Sequence, residues 1–416
     1  MTSKFYDVVV VGAGQAGLSI SYHLSLSKIN HIILEQGKLG NAWREDRWDS
    51  FSLVTPNWSI TLPGAEYSGN EPDGFMLGRD FVTHLEDWAS SFKAPVLENT
   101  KVNKVKKNKN NFLLVTNKGT IECKQVVIAT ATYQEPRIPE IVKELPKDIF
   151  LLPAAKYRNP SMLPDGGVLV IGSGQSGCQI AEELNEEGRN TFLSVGRSGR
   201  LPRRYRGADS IKWQKDMGLL DRTPDALEHP KLRIRGDPHL SGARGGRTIS
   251  LHQLRADGVH LVGRIESAKS TVISLFDDLE SSIKTSDIYA AEFRRSVDEY
   301  LLEANRIAPQ QTEMELLGEP KSDIERVTNR KTINLSSENI KTVIAATGFV
   351  FDFSWVEPAI LDNYGYPVTS RGTTDVPGLY FMGLNWMAKR KSGIIYGVAE
   401  DADYLAPKIV SKTKNL

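Results

Sequence analysis

Val8-Val9-Val10-Val11-Gly12-Ala13-Gly14-Gln15-Ala16-Gly17 is the stretch that decides the fold. Four valines in a row suit a strand buried on both faces, and the glycine hexad suits a tight turn into a helix, patterned over 18–24. The device recurs. Val168-Leu169-Val170-Ile171 runs into Gly172-Ser173-Gly174-Gln175-Ser176-Gly177, with a second helical pattern over 178–184. Strand, glycine turn and helix start together can seat a pyrophosphate on a helix N-terminus.

The residue that follows the second strand of each unit separates the two. Glu35 ends His31-Ile32-Ile33-Leu34-Glu35 and is followed by Gln36, at the spacing where a carboxylate holds the adenosine ribose hydroxyls. The equivalent stretch of the second unit, Thr191-Phe192-Leu193-Ser194-Val195-Gly196-Arg197, lacks an acid and offers an arginine. A carboxylate repels a ribose 2′-phosphate and a guanidinium pairs with one. The first site therefore suits FAD and the second NADPH.

At 416 residues the chain exceeds one compact core. A formal net charge of +1 gives no electrostatic argument for nucleic acid or membrane partners. Cys123 and Cys178 are far apart and form no CxxC or CxxxxC, which excludes the disulfide exchange of the thioredoxin and glutathione reductases and suits a reducing, cytoplasmic setting. The first residues run directly into the first strand, leaving no room for a signal peptide, and no apolar run is long enough to span a membrane. There is no GxSxG or HExxH, and the seven histidines show no metal-ligand spacing, so no metal is expected.

Along the chain, 81–92 reads as a helix, and 102–105, 111–116 and 120–122 as strands joined by turns at Lys109-Asn110 and Lys118-Gly119. The run 125–130 reads as a buried strand returning to the first sheet. Pro136 and Pro139 punctuate a crossing to the second unit. From 274 to 307 there is no glycine or proline, and the helical spacing of Phe293, Val297, Tyr300 and Leu301 predicts helix, either packing plainly or covering a substrate cleft. Val343-Ile344-Ala345-Ala346-Thr347-Gly348 repeats the pattern of Val127-Ile128-Ala129-Thr130-Ala131, 379–383 adds a strand, and 394–405 a final helix. The expected fold class is α/β, with two Rossmann-like dinucleotide-binding domains. The NADPH domain, 149–335, is inserted into a discontinuous FAD domain made of 1–148 and 336–416.

These motifs resemble those of the class B flavoprotein monooxygenases, the group of the flavin-containing and Baeyer–Villiger enzymes. The likeness is strongest to a short bacterial branch often labelled as flavoproteins of potassium transport, related to the plant indole-pyruvate monooxygenases. It covers nearly the whole chain: both hexads, Trp43-Arg44 through Pro63, 129–139, Tyr157-Arg158-Asn159-Pro160, 195–209, Ala346-Thr347-Gly348-Phe349, and Lys389-Arg390-Lys391-Ser392-Gly393 running to Glu400-Asp401-Ala402. It departs at the signature FxGxxxHxxx(F/Y). Ending that signature at Tyr157 puts Lys147, Ile149 and Pro153 where Phe, Gly and His belong.

The resemblance implies a monooxygenase. It would reduce FAD with NADPH, bind O2 at the flavin C4a carbon, and pass one oxygen from the resulting peroxide to a small organic substrate. That oxygen would go to N or S, or beside a carbonyl in Baeyer–Villiger fashion. An NADPH oxidase or flavin-linked reductase without oxygen transfer, and a redox-sensing regulatory flavoprotein, stand as alternatives. The resemblance puts Arg197, Arg203 and Arg204 at the NADPH phosphates, Trp43 and Arg44 after the FAD pyrophosphate, and Thr55 and Asn57 beside the reactive edge of the flavin. Ser392 reads as the N-cap of the final helix, whose start at Gly393 and Ile394 would face the flavin. Ala16, Thr130, Gln175, Ser176, Thr347, Gly348 and Gly383 complete the expected cofactor contacts. A homodimer is compatible with the sequence, which fixes no oligomeric state.

Overall fold

The computed structural model describes residues 4–316 and 329–414. Its frame is two sheets, each containing the strand that leads into one glycine turn. In the first, Lys4–Val11 lies parallel to His31–Leu34, with helix Gln15–Leu26 as the crossover and Val96–Leu97 extending that edge. On its other side Lys4–Val11 pairs in parallel with Gly119–Ile128. This one ten-residue strand absorbs both 120–122 and most of 125–130, expected as separate strands. Its first half pairs antiparallel with Asn111–Thr116, which in turn pairs with Val102–Asn108. Its second half takes Leu379–Phe381 in parallel. Strands on both sides, helices over the face of Val8 and Val10, and the strand and loop residues Val105, Phe112, Phe353 and Val356 over the face of Val9 leave all three fully buried, which is why an unbroken apolar run is tolerated there.

The second sheet is parallel throughout, in the order Phe150–Pro153, Ile340–Ala345, Gly167–Ile171, Thr191–Ser194, His260–Val262. The change of unit expected after residue 335 therefore falls later. Ile340–Ala345 sits inside the second sheet, with Val343 opposite both Leu151 and Leu169. It does for the second unit what the end of Gly119–Ile128 does for the first, which accounts for their similar sequences.

Within the second unit Ile265–Lys269, Val272–Leu275 and Thr332–Asn334 form a small antiparallel sheet. Helix Leu279–Glu303 then fills most of 274–307. It buries Phe293, Val297 and Leu301 in a cluster with Leu201, Tyr205 and Trp213, the plain packing of the two alternatives. The chain passes between the units twice, at Glu135–Pro136 and Phe349–Val350, and the two passages pair antiparallel with each other. Arg137 N donates to Gly348 O at 2.9 Å and Asp352 N to Gln134 Oε1 at 3.0 Å, tightening the junction. The final helix, Ile395–Lys414, starts one residue later than expected and runs longer, burying Val398, Ala402, Leu405 and Ile409. Among the described residues no helix is long and apolar enough to cross a membrane.

Candidate active site

The three glycines of each hexad answer three different demands. Gly12 has φ +105° and Gly172 φ +100°; a Cβ there would fall 2.7 Å from the Ala129 carbonyl oxygen and 2.6 Å from that of Ala346. Each turn thus backs onto the end of its return strand. A Cβ on Gly17 would lie 1.9 Å from Gly12 O, and one on Gly177 1.8 Å from Gly172 O, so these glycines let helix and strand touch. Gly14 and Gly174, the N-caps of their helices, have nothing within 4 Å of such an atom. That open space, ringed by helix-start amides, fits a pyrophosphate.

Both turns open into a single cleft of about 1190 Å³. Gly12, Gly14 and Ala16 line it from the first unit, and Gly172, Gly174, Gln175 and Ser176 from the second. Glu35 and Gln36 line the far end of the first turn. Glu35 accepts hydrogen bonds from Ala13 N at 2.8 Å and Gly37 N at 3.0 Å, yet burial pushes its carboxyl above the ordinary carboxylate value. Arg197 lines the second turn's far end, exposed and without an ion pair among the described residues. Trp43 is held by its Nε1 donating to Gln15 Oε1 at 2.9 Å. Thr55, Thr130, Thr347, Gly348, Gly383, Gly393 and Ile394 complete the expected lining. Gly17 and Gly177 stand behind the turns and do not line the cleft.

Five expected site residues point elsewhere. Arg44 donates from Nε to Leu39 O at 2.8 Å and pairs with Glu86, which turns it away from the cleft. The Asn57 amide is held at both ends, Nδ2 donating to Glu71 O at 2.9 Å and Oδ1 accepting from Met76 N at 2.8 Å, so it braces the 71–76 loop and does not line the cleft. Arg203 is 1% exposed, ion-paired with Asp209, donates to Val54 O at 2.9 Å and lies 4.8 Å over the Phe75 ring. Arg204 donates to Gly246 O at 2.9 Å and Gly245 O at 3.0 Å. Ser392 is buried in the turn Arg390–Gly393, where its Oγ accepts from Ala388 N and Lys389 N. The long helix begins at Ile395, so Ser392 is not its N-cap.

Sequence reasoning missed Arg47, Tyr133, Arg233, Asn385 and Trp386, all of which line the cleft. Arg47 lies 5.3 Å over the Trp43 ring and 5.4 Å over that of Phe51, in the non-helical stretch after helix Asn41–Glu45, where no periodic spacing marks it. The other four depend on contacts distant in sequence. Tyr157 is buried and donates to Glu183 Oε2 at 2.6 Å, a packing role. Among the described residues no histidine or cysteine lines the cleft; burial pushes the Cys123 thiol up to about 12, and that of Cys178 up as well. Among the described residues no cluster of His, Cys, Asp and Glu could hold a metal ion.

Fold and cleft together define a flavoprotein oxidoreductase with two dinucleotide sites. Residues 9–212 match the family model described as pyridine nucleotide-disulphide oxidoreductase. An oxidoreductase of Geobacillus kaustophilus described as CzcO-like is 33% identical over 408 residues, covering 97% of this chain and 98% of its own. The solved flavin-containing monooxygenase from Stenotrophomonas maltophilia superposes with a TM-score of 0.66 at 20% identity, over 98% of this chain and 99% of that one. The structure described as OTEMO complex with FAD and NADP superposes with a TM-score of 0.58 at 15% identity, covering 100% of this chain and 87% of that one. The chain belongs to the CzcO-like oxidoreductases.

Proposed function

We propose that this chain is an FAD-dependent monooxygenase that takes electrons from NADPH and places one atom of O2 on a small organic substrate. The observation that carries the reading is the single cleft into which both glycine turns open, so that two dinucleotides would share one chamber. Glu35 supports FAD at the first turn, where its carboxylate would hold the adenosine ribose. Arg197, free of any acid, supports NADPH at the second. When bound, the flavin supplies the redox and oxygen chemistry. The chain's own groups bind, orient and dry the site. Leu53, Val54, Leu201, Ile211, Leu220 and Leu240 give the cleft apolar walls that exclude water from the reacting ends. Thr55 and Gln214, both largely buried, bring a hydroxyl and an amide to those walls for hydrogen bonding to substrate or cofactor.

The test is turnover of FAD-loaded protein with NADPH and isotope-labelled dioxygen, over a panel of amines, sulfides and ketones. Label recovered in an organic product supports the reading. Recovery of all NADPH electrons as hydrogen peroxide across the panel overturns it in favour of an NADPH oxidase. That second reading has its own observation. Pro153 stands where the family signature has histidine, it closes strand Phe150–Pro153, and among the described residues no histidine elsewhere lines the cleft in its stead. A disulfide reductase is not supported, since both cysteines are buried away from the cleft.

A further inference from the structure

Most arginines of the cleft already have a partner or an evident task. Arg47 lies over the adjoining rings of Trp43 and Phe51, Arg137 donates to Thr347 O, Arg264 pairs with Asp278 and Arg390 with Asp237, while Arg197 stands at the second dinucleotide end. Arg233 differs. Its guanidinium lies 5.1 Å over the Tyr366 ring, its Nε is buried with no hydrogen-bond partner, and among the described residues it makes no ion pair. Arg233 as a whole is half-buried, so one donor of its fork, not the whole charge, is withdrawn from water; a buried donor left unpaired is costly, and an aromatic shelf repays only part of that. Such a group is poised for an anion that arrives from outside the chain.

Its surroundings say which wall of the cleft that anion would occupy. Tyr366, buried beneath Arg233, donates its hydroxyl to Asn385 O at 2.7 Å. Asn385 in turn packs on Gly393 so closely that a Cβ there would fall 2.1 Å from its Oδ1. Arg233, Asn385, Trp386 and Gly393 all line the cleft. Arg233 therefore belongs with the 383–395 wall of the cleft, the wall whose Gly383 packs on Ala16 of the first glycine turn and where a flavin seated on that turn would extend.

We propose that Arg233 is a substrate-specificity residue that receives the carboxylate of an organic acid whose apolar body lies along the cleft walls. The planar guanidinium fork matches a carboxylate in two-point contact, which orients the acid as well as attracting it. The inference rests on the proposed function only in taking this wall of the cleft as the place where substrate meets flavin.

The experiment uses FAD-loaded protein with no NADPH added. Benzoate, phenylacetate and hexanoate are titrated against their primary amides, with the flavin visible band as readout. At least one acid binds about ten-fold or more tightly than its amide in the parent protein, the effect of a charged hydrogen bond. Arg233→Gln abolishes that preference while leaving amide binding, the unliganded flavin spectrum and the dissociation constant of NADPH unchanged. Arg233→Lys retains part of the preference. The proposal is overturned if no acid outbinds its amide, if Arg233→Gln keeps the preference, if that variant weakens NADPH instead, which would make Arg233 a cofactor-phosphate ligand, or if it shifts the unliganded flavin spectrum, which would make it a flavin partner. No oxygen-transfer step enters the measurement, so failure of the monooxygenase reading would leave this result standing, and the reverse.

Discussion

Arg197 and Arg203 lie close in sequence and have opposite surroundings, so truncating each should read out differently. Arg197→Ala should weaken NADPH by about 10- to 150-fold, the equivalent of roughly 1.5–3 kcal/mol for a charged hydrogen bond, and leave NADH nearly unchanged. Titration calorimetry with both nucleotides checks this, and equal loss for the two would remove the 2′-phosphate assignment. Arg203→Ala should instead cost roughly 3–5 kcal/mol of stability, because Asp209 would be left buried and unpaired; denaturant unfolding measures it. Asp401 offers a third case. It is 4% exposed with Oδ2 lacking a hydrogen-bond partner, and burial lifts its carboxyl from 3.8 to about 6. The folded chain holds this proton more tightly than the unfolded one. Ionisation therefore costs stability that grows as pH rises from about 4 through 6 and is fully present above that, roughly 3 kcal/mol in all. Asp401→Asn should raise the unfolding midpoint near pH 8 and leave it unmoved near pH 4.

The glycine hexads show how a local element can be legible while its parts differ in consequence. Gly14→Ala projects a methyl into open space, so the folded chain should be as stable as the parent while FAD content after purification falls. Gly17→Ala drives a methyl to 1.9 Å from a carbonyl oxygen and should destabilise the apoprotein on the order of 3 kcal/mol, the upper range for overpacking. Comparing flavin content with the urea midpoint separates the two effects. These turns could be read from sequence because backbone geometry demands glycine at fixed spacing. Glu35 was readable for the same reason, being tied to the strand that ends beside the turn. Arg203 was not. Its inward orientation depends on Val54, Asp209 and Phe75, and two of these are far away in the chain. The end of the second unit was misjudged because Ile340–Ala345 and the close of Gly119–Ile128 carry nearly the same residues. Only strand pairing tells which sheet each completes.

At the scale of the molecule, charges bind the two units across the cleft. Asp221, from the second, meets Lys389 at 2.9 Å and Lys391 at 2.8 Å, and both lysines also reach Glu400, at 2.6 and 2.9 Å. Asp221 is half-exposed, so Asp221→Asn should cost at most about 1 kcal/mol, with the loss disappearing at high salt; denaturant midpoints at low and high ionic strength test this. The paired passages at Glu135–Pro136 and Phe349–Val350 set what kind of motion such a contact could restrain. A body tied by one strand can swivel in any direction. Two strands zipped side by side resist twist and sideways shear, leaving one soft direction of bending, like a door on its pin. Any change in the distance between the two cofactor seats would have to bend this pair and also part contacts such as Arg203 with Val54 O and Asp221 with Lys391, and one distance probe spanning the cleft could follow it.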